Sequence, residues 1–273
     1  MPVDSHAHLE LFEDLDDVLV RAKEVGVSKI ITIGTTLETS RRAIQIAENF
    51  SDSELEIYAT CGIHPNDGAE EVENLGLGNV MKQLQKIAKS SKKVVGLGEC
   101  GLDYFLETSD QRPITSKTDK AFQRKLFKEQ ITLAVDLDLP LVVHCRNAWD
   151  EIFELLTFNH EQLANLRGVF HSWTGDVEAM KKAVDLGFYI SFSGIVTFKN
   201  AVDVQEVAKA APVEKIIIET DSPFLAPEPE RGMRNEPKNV KMVTDFIANL
   251  RGLSPDKIKS ITTRNAGEVF GVW

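Results

Sequence analysis

Eight short apolar segments, separated by stretches with a helical period, limit the fold of this chain more than any other feature. They are "PVDSHAHL" (2–9), "KIITIGT" (29–35), "EIYATCGIH" (56–64), "KVVGLGECGL" (93–102), "PLVVHC" (140–145), "GVFHSW" (168–173), "FYISFSGI" (188–195) and "KIIIETD" (215–221). Between them apolar residues recur three or four apart, as at Val18, Ala22 and Val25, or at Phe122, Leu126, Ile131, Leu133 and Val135. Strands this apolar are buried on both faces, and helices of this length make the crossovers of a parallel sheet. Eight such units in about 250 residues predict a closed (β/α)8 barrel of the TIM type. A doubly wound open sheet is the alternative. It is disfavoured because the first strand is not followed by a GxGxxG or GxxxxGK[ST] phosphate loop.

No Pro/Gly/Ser linker divides the chain, so residues 1–273 are expected to form one domain. The longest irregular stretch is 103–117, and the chain closes with two expected helices, near 237–250 and 255–269. The second is opened by Ser254, Pro255 and Asp256 as cap, first helical position and acidic first turn. No apolar run reaches 18 residues and the N-terminus lacks a secretory pattern, so a cytoplasmic protein off the membrane, by default a monomer, is expected. Cys61, Cys100 and Cys145 form no CxxC pair and are expected to be reduced and buried. A net charge of −11 argues against a broad basic face for nucleic acid, but leaves room for a polyanion bound through metal ions.

His6 and His8 stand at i and i+2 on the first strand and therefore project from one face. Inside a barrel they are either a satisfied core pair or ligands of a cation. Glu99, His144, His171 and Asp221 fall near the ends of strands four, five, six and eight, and His64 closes strand three. Barrel enzymes assemble their sites at that rim, and buried carboxylates are rare unless paired or bound to metal. Of six histidines, only His160 falls in a connection, where it reads as solvated. The nitrogen and oxygen donor set, without sulfur, suits zinc, manganese or iron, with magnesium admitted, better than calcium. Six donors exceed one tetrahedral ion with an open position. Two divalent ions are therefore expected, with His6, His8 and Asp221 on the first, His144 and His171 on the second, and Glu99 bridging them.

In this order the motifs "DSHAHL" (4–9), "GIHP" (62–65), "GECGLDY" (98–104), "HCRNA" (144–148), "HSWTG" (171–175), "ETDSPFLAP" (219–227) and "RGMRNEP" (231–237) resemble the TatD family of metal-dependent deoxyribonucleases. The resemblance covers nearly the whole chain. It implies a TIM-type barrel that hydrolyses DNA phosphodiesters, trimming single strands from the 3′ end. By position, His6, His8, Glu99, His144, His171 and Asp221 match the family's metal ligands, and His64 matches a histidine that contacts the scissile phosphate. Asp221 doubles as the base for the attacking water. Departures from the pattern are Phe224 where Tyr is frequent, Asn66 where His is common, and Lys238-Asn239 in place of a small residue and an aromatic.

The expected chemistry is metal-assisted hydrolysis, with Asp221, Glu99 and His64 catalytic and Arg146 either clamping phosphate or pairing with Asp103. Tyr104, Phe105 and Trp173 are candidates for stacking bases at the mouth, whereas Phe170 is expected in the barrel–helix layer. Two rival readings share the pattern. Amidohydrolases use the same HxH…H…H…D order but bridge their metals through a modified lysine on strand four, where this chain has Glu99 and no lysine inside strands four to six. A non-catalytic barrel with structural metals would close its coordination and leave no spare His64.

Overall fold

The computed structural model describes residues 2–105, 120–158 and 166–272; His160 and most of the 103–117 stretch lie outside the described residues. Eight parallel strands run in sequence order: β1 (Val3–Ala7), β2 (Lys29–Thr32), β3 (Glu56–Cys61), β4 (Val94–Asp103), β5 (Leu141–Arg146), β6 (Gly168–Phe170), β7 (Tyr189–Phe192) and β8 (Ile216–Ile218). Helices α1 (Leu15–Glu24), α2 (Leu37–Asn49), α3 (Ala69–Leu75), α4 (Leu77–Ala88), α5 (Lys120–Leu137), α6 (Trp149–Thr157), α7 (Val177–Asp185), α8 (Val202–Ala210), α9 (Val240–Arg251) and α10 (Pro255–Phe270) alternate with them. β8 returns to β1 through a parallel bridge between Ala7 and Ser222, supported by His8 N to Ser222 O at 2.7 Å and Asp221 N to His6 O at 2.9 Å. This is the expected barrel.

Strand periodicity sorts the side chains into two layers. On β2, Ile30 packs against the helices and Ile31 into the barrel; on β8, Ile216 and Ile218 face out and Ile217 faces in. The interior residues Val3, Ile31, Val95, Val142, Val169 and Ile217 meet Ala266, Val269 and Phe270 of α10, which plug the N-terminal end of the barrel. α10 starts as expected, with the Ser254 hydroxyl accepting from Lys257 N at 3.3 Å and Pro255 in the first turn. The three cysteines are buried and free.

Two irregularities bring polar residues inward at the opposite end. The β1–β2 register shifts between Asp4 and Ala7, and the β4–β5 register between Leu97 and Cys100. Gly98 lies at the second, with φ +149° and no room for a side chain, since a Cβ there would sit 2.5 Å from Val142 O. Only glycine satisfies both demands.

Candidate metal centre

The rim at the C-terminal ends of the strands collects all the donors. His6 Nε2 lies 3.3 Å from His8 Nε2, 3.4 Å from Glu99 Oε2 and 3.5 Å from Asp221 Oδ1, while His8 Nε2 lies 3.4 Å from Asp221 Oδ1. A second set gathers on the other oxygen of the same carboxylate. His144 Nδ1 is 2.8 Å and His171 Nε2 2.9 Å from Glu99 Oε1, and 3.0 Å from each other. His64 Nε2 approaches that oxygen at 3.6 Å. Ligands held about 2.0–2.1 Å from one tetrahedral ion stand roughly 3.3 Å apart, so both sets have the spacing of coordination spheres. These residues fit divalent cations.

The electrostatics point the same way. Burial works against the Glu99 charge, but His171 and hydrogen bonds with His144, His171 and His6 outweigh it and hold the carboxyl well below its usual range. Asp221 is lowered too, hydrogen bonding with His8 overcoming burial. Burial opposes charge on His8, yet Asp221 and Glu10 push its imidazole up to about 10. The field at the rim calls for positive charge, and a cation answers it by displacing protons from the imidazoles.

Behind the inner donors stands an outer row of carboxylates. Glu10 Oε1 lies 3.6 Å from His8 Nδ1, Asp67 Oδ1 3.6 Å from His64 Nδ1, Asp103 Oδ2 3.5 Å from His144 Nε2, and Glu219 Oε1 3.5 Å from His171 Nδ1. Carboxylates in this position fix the tautomer and orientation of a ligating imidazole. Sequence reasoning passed over Glu10, Asp67 and Glu219, although Glu10 follows His8 by two residues, Asp67 follows His64 by three and Glu219 precedes Asp221 by two. For Glu10 and Asp67 the short spacing from a histidine was the available signal, whereas Glu219 faces His171, 48 residues away, and only its nearness to Asp221 marked it.

Beside the cluster lies a cavity of about 430 Å³, bordered by Phe105, Arg146, Asn147, Ser172, Phe224 and Leu225, together with His144, His171 and Asp221. Arg146 is exposed and its guanidinium lies 3.5 Å from the centre of the Phe105 ring. Asp103, the other partner considered for it, is instead engaged by His144 and by Asn66 Nδ2 at 3.1 Å. Phe224 is half exposed, its ring edge-on to His8 at 5.8 Å. Lys238 is directed at Glu236 (3.7 Å), and Asn239 donates to Glu230 and Asn235, so these two departures serve the loop after β8.

Two candidates are corrected. Trp173 does not reach the mouth: it is 1% exposed, donates its indole N–H to Gly175 O at 2.7 Å and packs against Trp149 and Phe170. The expectation assumed that strand alternation continues past His171, but β6 ends at Phe170 and Ser172 turns left-handed at φ +42°. Tyr104 is also drawn away. Its hydroxyl donates to Glu151 at 2.7 Å and Lys120 covers its ring at 4.1 Å, committing it to the α5–α6 side. Phe170 sits in the barrel–helix layer, as expected.

The family model described as "TatD related DNase" matches residues 3–271. The chain belongs to the TatD family. It is 37% identical over 277 residues to the uncharacterized metal-dependent hydrolase YabD of Bacillus subtilis, covering 100% of both chains. It is 30% identical over 272 residues to the 3′-5′ ssDNA/RNA exonuclease TatD of Citrobacter koseri, covering 96% of this chain and 95% of that one. The crystal structure of YJJV, a TatD homologue from Escherichia coli K12, superposes with a TM-score of 0.84 at 28% identity, covering 99% and 98% of the two chains. As a TatD-family member the chain is a metal-dependent hydrolase, and its donor cluster contains groups that could hold metal ions. Among the described residues no helix is long and apolar enough to cross a membrane.

Proposed function

We propose that this TatD-family hydrolase cleaves DNA phosphodiester bonds, removing nucleotides from the 3′ end of single strands, with two divalent ions, zinc, manganese or magnesium, in its site. The observation that carries the reading is one carboxylate, Glu99, whose two oxygens each face a separate donor set beside an open cavity. His6, His8 and Asp221 would hold one ion and His144 and His171 the other, with Glu99 bridging. Bound there, such ions lower the pKa of water and neutralise the charge that develops on phosphate.

The chain's own side chains do the rest. Asp221 accepts the proton of the attacking water, its charged form being kept by His8. His64, whose ring meets that of His144, and Arg146, two residues past His144 at the cavity edge, contact the phosphate oxygens where charge accumulates. Phe105 and Phe224 give the cavity aromatic walls on which a base can stack. The relative named a 3′-5′ ssDNA/RNA exonuclease supports the choice of polarity and strand. Glu99 in place of a bridging lysine supports a phosphodiester over an amide or lactone.

A time course on 5′-labelled single-stranded oligonucleotides tests this. A ladder shortening from the 3′ end is expected, slowed when the 3′ end is blocked. Turnover of a cyclic amide or lactone panel with the oligonucleotide left intact would overturn the reading.

A further inference from the structure

The motif "RGMRNEP" supplies no residue to either donor set or to the cavity beside them, yet it contains one of the most completely hydrogen-bonded side chains among the described residues. Asn235 is fully buried. Its Nδ2 donates to Thr220 O at 2.8 Å and to Phe224 O at 2.6 Å, two carbonyls that flank Asp221 in sequence. Its Oδ1 accepts from Glu236 N at 2.9 Å and Asn239 Nδ2 at 3.0 Å, which leaves the amide a single sensible orientation. Its own N–H donates to Pro223 O at 3.0 Å.

The segment so gripped is strained. Asp221 has φ +58° and Leu225 φ +55°, a region that residues other than glycine rarely occupy unless their surroundings impose it. On the barrel side the imposition comes from β1, through Asp221 N to His6 O at 2.9 Å and His8 N to Ser222 O at 2.7 Å. On the outer side it comes from Asn235. The residues next to it are anchored in turn, Arg234 on Asp14 at 2.7 Å and Glu236 on Arg21 at 2.8 Å.

We infer that Asn235 is the positioning residue for Asp221: its amide locks the Thr220–Phe224 turn so that the Asp221 carboxylate stays with His6 and His8 and the Phe224 ring stays over the cavity. Asn235 touches neither donor set. The inference rests on the reading that Asp221 helps hold an ion.

The test is calorimetric titration of Mn²⁺ into the full-length, chelator-stripped protein, which does not depend on any substrate. Wild type is expected to bind two ions, and Asp221→Asn to weaken one of them. Asn235→Ala should weaken the same one by about 10- to 100-fold, the usual effect of removing a residue that orients a ligand, and leave the other essentially unchanged. Asn235→Leu, of similar size but without the donor pair, should resemble Ala, whereas a residue that merely packs would be rescued by it. Should Asn235→Ala fail to fold, Asn239→Ala, which removes one donor to the Asn235 oxygen, should weaken the same ion to a smaller degree.

Both ions bound as in wild type by Asn235→Ala, while Asp221→Asn loses one, would overturn the role of Asn235 and leave the hydrolase standing. Binding untouched in Asp221→Asn as well would remove the ground of both.

Discussion

The two ends of this barrel are built from the same eight strands and obey opposite rules. At the N-terminal end the interior is filled by aliphatic side chains and sealed by Ala266, Val269 and Phe270 of α10. At the C-terminal rim are five of the seven buried polar atoms that make no close hydrogen bond among the described residues, on His6, Glu10, His144, His171 and Ser222, those of His144 and His171 facing the Asp103 and Glu219 carboxylates at 3.5 Å. Backbone strain is distributed the same way. Of five described non-glycine residues with left-handed φ, Asn147, Ser172, Asp221 and Leu225 border the rim cavity, and only Asp138 sits elsewhere, in the turn before β5. The difference teaches that stability and chemistry are separated along the barrel axis, the apolar end offsetting the cost of holding charge and strain at the other.

A crossed pair of substitutions would break that separation if it is wrong. Glu99→Ala removes the carboxylate shared by both donor sets, and hydrolysis should fall by more than about 100-fold, since residues that only orient ligands already cost 10- to 100-fold. The protein should stay folded by circular dichroism. Phe270→Ala at the other end should do the reverse, costing about 3–5 kcal/mol in urea unfolding for a side chain that is 4% exposed, with unchanged activity per folded molecule. Activity per folded molecule lost in both, or a loss of stability in Glu99→Ala larger than chelation causes in the wild type, would dissolve the distinction.

Metal removal sharpens it next. Ions that bind the native rim and not the unfolded chain stabilise by about 2.7 kcal/mol at a hundredfold excess over Kd. Chelation should therefore lower the melting temperature and abolish hydrolysis together, and added Mn²⁺ or Zn²⁺ should restore both. An unchanged melting temperature would mean that the cluster holds no cation.

Much of the separation could be read from residue order alone, because a strand alternates faces. Ile30 and Ile31, or Val142 and Val143, are sorted by parity, and "SHAH" places two imidazoles together without any knowledge of the fold. What parity cannot convey is where it stops. His64 stands three residues past β3 and still reaches Glu99, whereas Trp173, two past His171, is turned into the core because Ser172 is left-handed. At the register shift of β4 the need for glycine at position 98 likewise comes from Val142, a residue of another strand that leaves no room for a side chain. Three of the four outer carboxylates, Glu10, Asp67 and Glu219, escaped notice for a related reason: an exposed acid and one set behind a histidine are hard to tell apart until the chain is folded.

Arg146 and Trp173 test the boundary between the regions with smaller effects. Arg146→Ala should raise KM for an oligonucleotide by about tenfold, in line with the loss of one charged hydrogen bond to phosphate, and leave the melting temperature nearly unchanged because the side chain is exposed. Trp173→Phe keeps an aromatic ring against Trp149 and Phe170 but loses the bond to Gly175 O, so stability should drop modestly and KM should not move. A KM effect at Trp173 would restore it to the mouth.

The smallest effect expected lies on the surface at the apolar end. Asp52, in the turn between α2 and β3, accepts from Lys23 Nζ at 2.9 Å and from Leu55 N and Glu54 N at 2.8 Å. The Lys23 ammonium, with these two backbone N–H groups, pushes its carboxyl down to about 2. A carboxyl lowered on folding adds stability that is complete above its unfolded pKa, about 3.9, and is lost as pH falls through the folded value. Asp52→Asn should thus be less stable than wild type by a constant margin above pH 4, a margin that narrows between pH 4 and 2 and vanishes below. Thermal melts across that range measure it, and high salt should shrink it, because the pair is exposed to solvent. Hydrolysis at neutral pH should be untouched. A change there would mean that charge at the base is felt by the rim, although solvent and salt screen this exposed pair.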